Sequence, residues 1–389
     1  MELVQCTKCL LDTTAPTITF DKEGKCNYCV YFETLEESVL KVPIDRKKEK
    51  LLSILDEIKK NSKKNEYDCI IGLSGGVDSS YLCYMAKQWN LRPLLVHFDN
   101  GWNTEHAVKN IENITKILNY DLITYVLNWE EFKDLQRSYF KSNVLDLEMP
   151  TDQLIGAALY EIAYKKKIKY ILSGHNLETE AINPVGWTCK IKDDYENLKD
   201  IHQQFGSIKI RTLPKLSIYR KYIYEVVFGI QQIILLNYIP YNKAEVKQTI
   251  IDKIGWTDYG WKHFESIFTR FYQGYILPNK ANIDKRKMHL SNLVMSHQIT
   301  KAEAVKEMEK ESYPMSMQLE DREYVMKKLD FDEEFMTGFL SNKPIAHENY
   351  KTNQQLKIRI LMFLLKSVLY IPVRILRFVG VLTKPIQNN

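Results

Sequence analysis

Residues 67–80 read YDCIIGLSGGVDSS, and the fold turns on this stretch. Tyr67–Leu73 is a short apolar run closed by a glycine pair, the pattern of a strand buried on both faces. The loop Ser74-Gly75-Gly76-Val77-Asp78-Ser79-Ser80 follows, and Ser79–Trp89 has helical patterning. Two glycines permit a sharp turn and a close approach to a ligand. Successive N–H groups at the opening of a helix form a nest for phosphate oxygens. Ser74, Ser79 and Ser80 add hydroxyl donors, and Asp78 is placed to hold magnesium or to orient a leaving phosphate. No Gly-Lys-Ser/Thr is present, so this is not a loop that grips β- and γ-phosphates. The expected ligand is ATP.

The same alternation continues outward. Pro93–Phe98 (PLLVHF), Leu122–Leu127 and Lys169–Ser173 (KYILS) read as further strands, with helical patterns over Thr104–Leu118 and Asp152–Lys167. Strand–helix repetition predicts an α/β fold, a parallel doubly wound sheet with its ligand at the carboxyl ends of the strands. On the amino side, residues 46–64 place Leu51, Leu52, Ile54, Leu55 and Ile58 at helical spacing. Beyond about residue 215 the texture changes to aromatic-rich helical segments with few strand signals. The expected division is a ribbon and linker over 1–45, an ATP-binding domain over 46–250, a helical substrate-binding domain over 251–350, and a tail over 351–389.

Composition narrows the function. Hydrophobic content of 45% and charged content of 26% fit a protein with a real core. No basic start followed by an apolar run marks a signal peptide, so the expected compartment is the cytoplasm. The net charge of +5 is uneven: residues 350–389 hold seven Lys and Arg and no acid, leaving 47 basic and 49 acidic side chains elsewhere. Nucleic acid is not an expected partner of a body so balanced, because phosphate binding favours a basic surface.

Cys6-x2-Cys9 and Cys26-x2-Cys29 are two knuckles separated by sixteen residues. That is the ligand set and spacing of a tetrahedral zinc ribbon. Reduced cysteines point to metal or catalysis rather than to disulfides. Four thiolates close the shell around a structural zinc; an iron–sulfur cluster, which also takes four cysteines, is the alternative. Cys69 and Cys83 are expected in the core, and Cys189 is unassigned.

The loop at Ser74 resembles the PP-loop of ATP pyrophosphatases, α/β enzymes that form acyl- or imidoyl-adenylates. Two later stretches fit that resemblance: His97-Phe98-Asp99-Asn100-Gly101, and Ser173-Gly174-His175-Asn176 leading to Thr179-Glu180. It implies nucleotide contacts at Asp99, Gly174 and Asn176, and a magnesium ligand at Glu180 beside Asp78. His97 and His175 admit a structural role as readily as a catalytic one.

A narrower resemblance emerges when the motifs are read together. The two knuckles with Asp12-Thr13-Thr14 and Phe20-Asp21 between them, the loop, Pro150-Thr151-Asp152, Gly174-His175-Asn176 and Pro240-Tyr241-Asn242-Lys243 are similar to the N-acetyl sugar amidotransferases of bacterial surface-polysaccharide biosynthesis. So is the run from Gly255-Trp256-Thr257-Asp258-Tyr259-Gly260 to Ser291, with Lys262-His263-Phe264-Glu265-Ser266, Thr269–Gly274 and Asp284-Lys285-Arg286. The likeness covers about residues 4 to 340. Trp261 and Ala281-Asn282 depart from the family pattern, which usually has a glycine and a Phe-Gly pair there.

The resemblance implies that ATP adenylates the acetamido group of a nucleotide-activated sugar, and that ammonia then converts it to an acetamidino group. It implies Asp78, Ser79, Lys243 and Lys262 as catalytic groups, and Asp152, His263, Arg270, Lys285 and Arg286 as contacts of the sugar nucleotide. None of the cysteines outside the knuckles lies in a recognisable nucleophile turn, so ammonia is expected from a separate glutaminase. The implied partners are similar to the two subunits of imidazole glycerol phosphate synthase. A tRNA-thiolating enzyme is the alternative, disfavoured because no Cys-x-x-Cys pair remains once the ribbon is set aside. A non-catalytic ATP-binding scaffold is disfavoured by the presence of Ser74, Asp78, Ser79 and Glu180.

The tail Leu356–Leu382 is apolar but interrupted by Lys and Arg every six or seven residues, too often for a bilayer span. Arg359, Lys366, Arg374 and Arg377 share a helical face opposite Leu, Ile, Phe and Val. An interfacial helix on an anionic membrane surface is expected, with packing on the protein itself or a partner as the alternative.

Overall fold

The computed structural model describes residues 3–187, 192–311 and 313–356. Cys189 and the amphipathic tail beyond Leu356 lie outside the described residues. Five strands, β1 (Cys69–Gly72), β2 (Pro93–Asp99), β3 (Leu122–Val126), β4 (Tyr170–Ser173) and β5 (Gln231–Ile234), form one parallel sheet in the order β3-β2-β1-β4-β5. Ile70 of β1 sits opposite both Leu94 and Ile171. Val96 pairs with Ile123 and Leu172 with Ile233. The α/β sheet expected from the alternating pattern is therefore present, with one strand more than the sequence signals. β5 lies where few strand signals were expected: it is a four-residue edge strand whose Gln231 and Gln232 are exposed, so it carries no apolar run to read.

Along the chain, α1 (Asn27–Leu35) closes the cysteine ribbon and α2 (Ile44–Ser62) leads to the sheet. The connecting helices are α3 (Val77–Gln88), α4 (Glu105–Leu118), α5 (Trp129–Lys141), α6 (Met149–Lys166), the short α7 (Leu177–Glu180), α8 (Tyr195–Phe205) and α9 (Ile218–Tyr222). Successive strand residues face opposite layers. Ile71, Leu95 and Leu172 pack with α2, α3, α4 and α10 (Lys243–Ile254) through Leu55, Leu82, Ile114 and Ile250. Ile70, Leu94 and Ile171 pack with α6 through Ala157, Tyr160 and Ala163.

The remaining helices are α11 (Ile267–Phe271), α12 (Leu277–Ala281), α13 (Lys285–Met295), α14 (Lys301–Met308), α15 (Met315–Lys328) and α16 (Glu333–Ser341). Phe268, Phe271, Tyr272, Leu329 and Phe339 from this region share a core with Phe132 and Phe140 of α5. The same core takes in Cys6, Leu11, Cys29 and Phe32 of the ribbon. Among the described residues, no helix is long and apolar enough to cross a membrane.

Candidate active site

The chain runs β1, β2, β3 toward one edge and returns to place β4 on the other side of β1. A crevice opens where the strand order reverses, between the carboxyl ends of β1 and β4, and open α/β sheets bind ligands there. Ser74–Ser79 leaves β1 on one side of it, and Gly174–His175 leaves β4 on the other. Gly75 has φ +82°, and a Cβ there would lie 2.8 Å from the carbonyl oxygen of Ala107. That carbonyl and the left-handed backbone together explain the glycine. The Gly75 carbonyl accepts from Trp256 Nε1 at 2.9 Å, which pins the loop to the segment after α10. A Cβ on Gly174 would meet the backbone of Asp78 and Ser79 at 3.0–3.1 Å, so β4 can approach the start of α3 only without a side chain.

The loop is the floor of a cleft of about 1090 Å³, more than the 300–1,000 Å³ or so of a pocket for one small molecule. Three helix starts converge on it, at Val77-Asp78, Asn242-Lys243 and Asp284-Lys285-Arg286. Asn242 caps α10 by accepting from the N–H groups of Ala244 (3.0 Å) and Glu245 (3.2 Å). Asp284 caps α13 by accepting from the Arg286 N–H at 3.0 Å. The caps hold the following lysines at positive helix ends, where an anion is favoured twice over.

Lys262 is the hub of the cleft floor. Its ammonium donates to Glu180 at 2.5 Å and lies 3.7 Å from Asp78. Glu180 also bonds His175, and Asp78 accepts from the Tyr241 hydroxyl and, at 3.3 Å, from the buried Asn176 amide. Burial would raise the Glu180 carboxyl, but Lys262 and His175 outweigh it and hold it well below the usual range. Burial would likewise lower the Lys262 ammonium, but Glu180 and Asp78 raise it. Lys243 forms no ion pair among the described residues; burial, with Lys262 close by, pushes it down to about 8. Because Asp78 and Glu180 both reach one cation, the pair suits a hard divalent ion completed by phosphate oxygens.

The far wall is a second basic chamber. Lys285 and Arg286 line it with His263 and His289, whose rings are 5.6 Å apart. Burial lowers Lys285, which forms no ion pair among the described residues. Burial, then the surrounding Lys262 and His263, hold His289 neutral, and its Nε2 is buried without a hydrogen-bond partner. Tyr259 and Glu265 sit over Gly76, with Tyr259 Oη at 3.3 Å from where its Cβ would be. Gln273 and Tyr313 complete the wall.

Of the residues expected to form a site, Ser74, Gly76, Val77, Asp78, Ser79, Gly174, Glu180, Lys243, Lys262, His263, Lys285 and Arg286 line this cleft. Gly75, Ser80 and Asn176 lie behind the lining, Ser80 donating to the Gly76 carbonyl at 2.6 Å. Three others are not brought to the cleft. Asp99 holds its own turn, accepting from the N–H of Gly101 (2.9 Å) and the Asn103 amide (3.2 Å). Arg270 is spent on a two-pronged pair with buried Asp321, at 2.6 and 2.7 Å. Asp152 pairs with Lys192 at 3.1 Å. His97 lies between the Leu73 carbonyl and Asn103, a structural arrangement. Tyr241, Tyr259, Glu265 and His289 were within quoted motifs, or beside them, but no residue-level signal marked them.

The four knuckle cysteines come together, all four ligand atoms within 4.8 Å of one another. Cys6···Cys29 and Cys9···Cys26 are 3.8 Å apart and Cys26···Cys29 3.6 Å. A tetrahedral ion with metal–sulfur bonds near 2.3 Å sets sulfurs about 3.8 Å apart, so the group could hold one zinc. Cys69 and Cys83 are buried in the sheet core as expected.

Comparison with known proteins bears on the far wall. Residues 265–364 match the model of the LPS biosynthesis protein WbpG-like, C-terminal domain. Over those residues the chain is similar to a WbpG-like domain. Gln273, Lys285, Arg286, His289 and Tyr313 of that domain face the loop Ser74–Ser79 across one cleft. An uncharacterized protein of Methanocaldococcus jannaschii is 29% identical over 181 residues, covering 45% of this chain. The chain spans 60% of the length of that curated relative. A predicted subunit of tRNA methyltransferase from the same organism superposes with TM-score 0.27 at 19% identity, over 46% of this chain and 71% of that one. NMN synthetase from Francisella tularensis gives 0.27 at 14% identity, over 60% and 94%. Neither structural likeness is strong enough to carry a statement beyond what the sheet itself shows.

Proposed function

We propose that the protein is an ATP-dependent amidotransferase that converts an acetamido group of a nucleotide-activated sugar to an acetamidino group. One observation carries this reading: the phosphate-type loop Ser74–Ser79 and the basic wall of the WbpG-like domain line a single cleft. A nucleotide on the loop and an anionic sugar nucleotide on Lys285 would meet across it, beside Arg286, whose guanidinium is held by Asp284 at 2.7 Å.

An amide oxygen is a poor leaving group, and the reaction supplies a better one. The amide oxygen attacks the α-phosphorus of ATP and pyrophosphate departs, leaving an O-adenylyl imidate. Ammonia adds at the imidate carbon, AMP leaves with the oxygen, and the amidine keeps a proton as a cation. Lys243 and Lys262, with the N–H groups of the loop, suit the charge that develops on pyrophosphate. Asp78 and Glu180 are the residues that would hold a magnesium ion, whose charge would offset that of the phosphates. Ser79 and Ser74 hydroxyls, 3.2 Å apart, are placed to orient the α-phosphate. Ammonia from a separate glutaminase, delivered by partners similar to the two subunits of imidazole glycerol phosphate synthase, belongs to the same proposal.

The test is to incubate the protein with ATP, Mg²⁺, ammonium and UDP-acetamido sugars. AMP and a sugar product that has exchanged oxygen for NH should form together. AMP release that needs tRNA and a sulfur donor, and ignores sugar, would sink the reading.

A further inference from the structure

The segment Lys262-His263-Phe264-Glu265 lines the cleft with all four of its residues. Lys262 reaches the floor, where it meets Glu180 and Asp78. His263, the next residue, sits on a left-handed backbone with φ +70°. Non-glycine residues adopt that conformation at a cost, and such strained positions gather at functional sites. The segment is held there by its surroundings. The Glu265 carbonyl accepts from the Thr104 N–H at 3.0 Å, and the His263 carbonyl from the Ser266 N–H at 3.4 Å.

The turn brings an imidazole against a carboxylate. Glu265 Oε1 lies 3.6 Å from His263 Nδ1, and a third of the His263 side chain (33%) remains exposed. Glu265 is more enclosed, and its Oε2 is buried with no hydrogen-bond partner. A buried carboxylate oxygen without a donor is costly, so the placement of this one needs a reason beyond stability. Burial would raise the Glu265 carboxyl, but His263 beside it holds it below the usual range. A carboxylate at Nδ1 fixes the imidazole tautomer and leaves Nε2 as the nitrogen with the lone pair. Catalytic contacts of this kind are often long until substrate is bound.

The other groups of the cleft that could take a proton are engaged. Asp78 and Glu180 share Lys262, and His175 bonds Glu180. The ring of His289 is 5.6 Å from that of His263, but its Nε2 is buried. Lys243 interacts with Lys262 and Asp78 at the floor, the end where pyrophosphate would depart. His263 stands between these sets. It adjoins Lys262 on one side, and its partner Glu265 places Oε1 3.4 Å from where a Cβ of Gly76 would be. That is where a nucleotide on the loop and a sugar on the wall would meet.

The proposed reaction must lose a proton at that point. Adenylation leaves the amide nitrogen its hydrogen, so the imidate carries a positive charge. The lone pair of ammonia forms the new C–N bond, and the C=N π pair moves onto the sugar nitrogen. The tetrahedral carbon then carries –NH₃⁺, which leaves again as ammonia more readily than AMP does. With one proton removed, AMP becomes the better leaving group. Its C–O bond breaks, the electron pair goes with AMP, and a nitrogen lone pair closes the amidinium. We propose that His263, oriented by Glu265, takes this proton at Nε2 and so commits the bound nitrogen to product. The imidazolium returns the proton to water before the next turnover. His263 is thus a catalytic residue and Glu265 a positioning residue. The inference rests on the amidotransferase reading.

The test counts AMP and amidine together, from ATP, Mg²⁺, ammonium and a UDP-acetamido sugar in heavy-oxygen water. The wild type should form the two in equal amounts. His263→Gln should form amidine roughly 10²–10³-fold more slowly. AMP should then exceed amidine, because water returns the stranded imidate to an acetamido group that carries the heavy oxygen. Glu265→Gln should shift the same ratio in the same direction, with KM for both substrates unchanged. Hydroxylamine in place of ammonium should restore product to His263→Gln, because its bound nitrogen sheds a proton to water unaided. An unchanged amidine-to-AMP ratio in both variants overturns the inference, and so does an equal fall of both products without rescue by hydroxylamine. Should His263→Gln not fold, the ratio in Glu265→Gln decides. A wild type that makes no amidine overturns the amidotransferase reading and this inference with it, an outcome visible before any variant is made.

Discussion

Lys262 stands between two carboxylates, and the charge balance of the cleft floor hangs on it. Without it Glu180 and Asp78 lose their shared ion-pair partner and keep His175, Tyr241 and the Asn176 amide, with Lys243 farther off. Lys262→Met should therefore lose about 1–3 kcal/mol of stability, below the range for a fully buried pair because both partners retain some exposure. It should also lose about 10²–10³ in turnover, as removal of one donor at a site of developing charge does. Adding Glu180→Gln should restore much of the stability in chemical denaturation and none of the turnover. Equal recovery of both would make Lys262 a structural ion-pair partner only.

Lys243 supplies the pH dependence. Its ammonium is pushed down to about 8, below an unfolded value near 10.4. Between these two values the unfolded chain binds more protons than the folded one, so this site makes stability rise with pH across that window. Binding runs the other way. If the ammonium helps hold phosphate, ATP affinity should fall as pH passes about 8, and Lys243→Arg should flatten the profile. Titration calorimetry at pH 7 and pH 9 decides it; a wild-type affinity unchanged across that range rejects Lys243 as a phosphate contact. Residues of this kind were legible only as members of motifs. His289 was not, because one histidine between buried Met288 and Leu290 carries no periodic or spacing signal.

At the scale of elements, the strand–loop–helix at β1 was legible because its chemistry is local. A strand buried on both faces shows as an unbroken apolar run, and the two glycines that follow mark the turn. β5 was not, since its four residues join the sheet only through pairing with β4. The π-helical turns at Glu36–Leu40, Ile223–Val227 and Tyr272–Ile276 had no signature either, being set by the helices they extend. The glycines of the crevice rank the elements by tolerance. Gly75→Ala combines a left-handed backbone with a fixed carbonyl at 2.8 Å, whereas Gly174→Ala meets backbone at 3.0 Å that can give by a few tenths of an ångström. Gly174→Ala should cost about 1–3 kcal/mol, and Gly75→Ala more. Thermal unfolding of the two variants should show that order, with ATP binding lost in both; the reverse order would mean the loop moves more freely than β4.

Across the whole molecule, the ribbon is tied to the helices that carry the basic wall. The Leu10 N–H donates to Ser291 Oγ of α13 at 3.1 Å, Lys287 pairs with buried Asp12 at 2.5 Å, and Lys301 donates to the Cys6 carbonyl at 2.6 Å. The cysteine spacing announced the ribbon, but nothing in it announced this docking, which joins residues nearly 300 positions apart. A metal held by the four cysteines would therefore support α13, and through it Lys285, Arg286 and His289, while the loop Ser74–Ser79 rests on the sheet. The protein should contain one zinc per chain and no visible iron–sulfur absorbance. Chelation should lower its unfolding temperature by roughly 5–10 °C, since a few kcal/mol shifts a chain of this size by that much. On the proposed reaction, KM for the sugar nucleotide should rise before ATP binding is lost, because the ribbon bonds directly to α13 and to Lys301 of α14, which flank the basic wall. If the two substrates weaken in step, the ribbon stabilises the fold as a whole; if zinc leaves with no effect on either, the ribbon does not position α13.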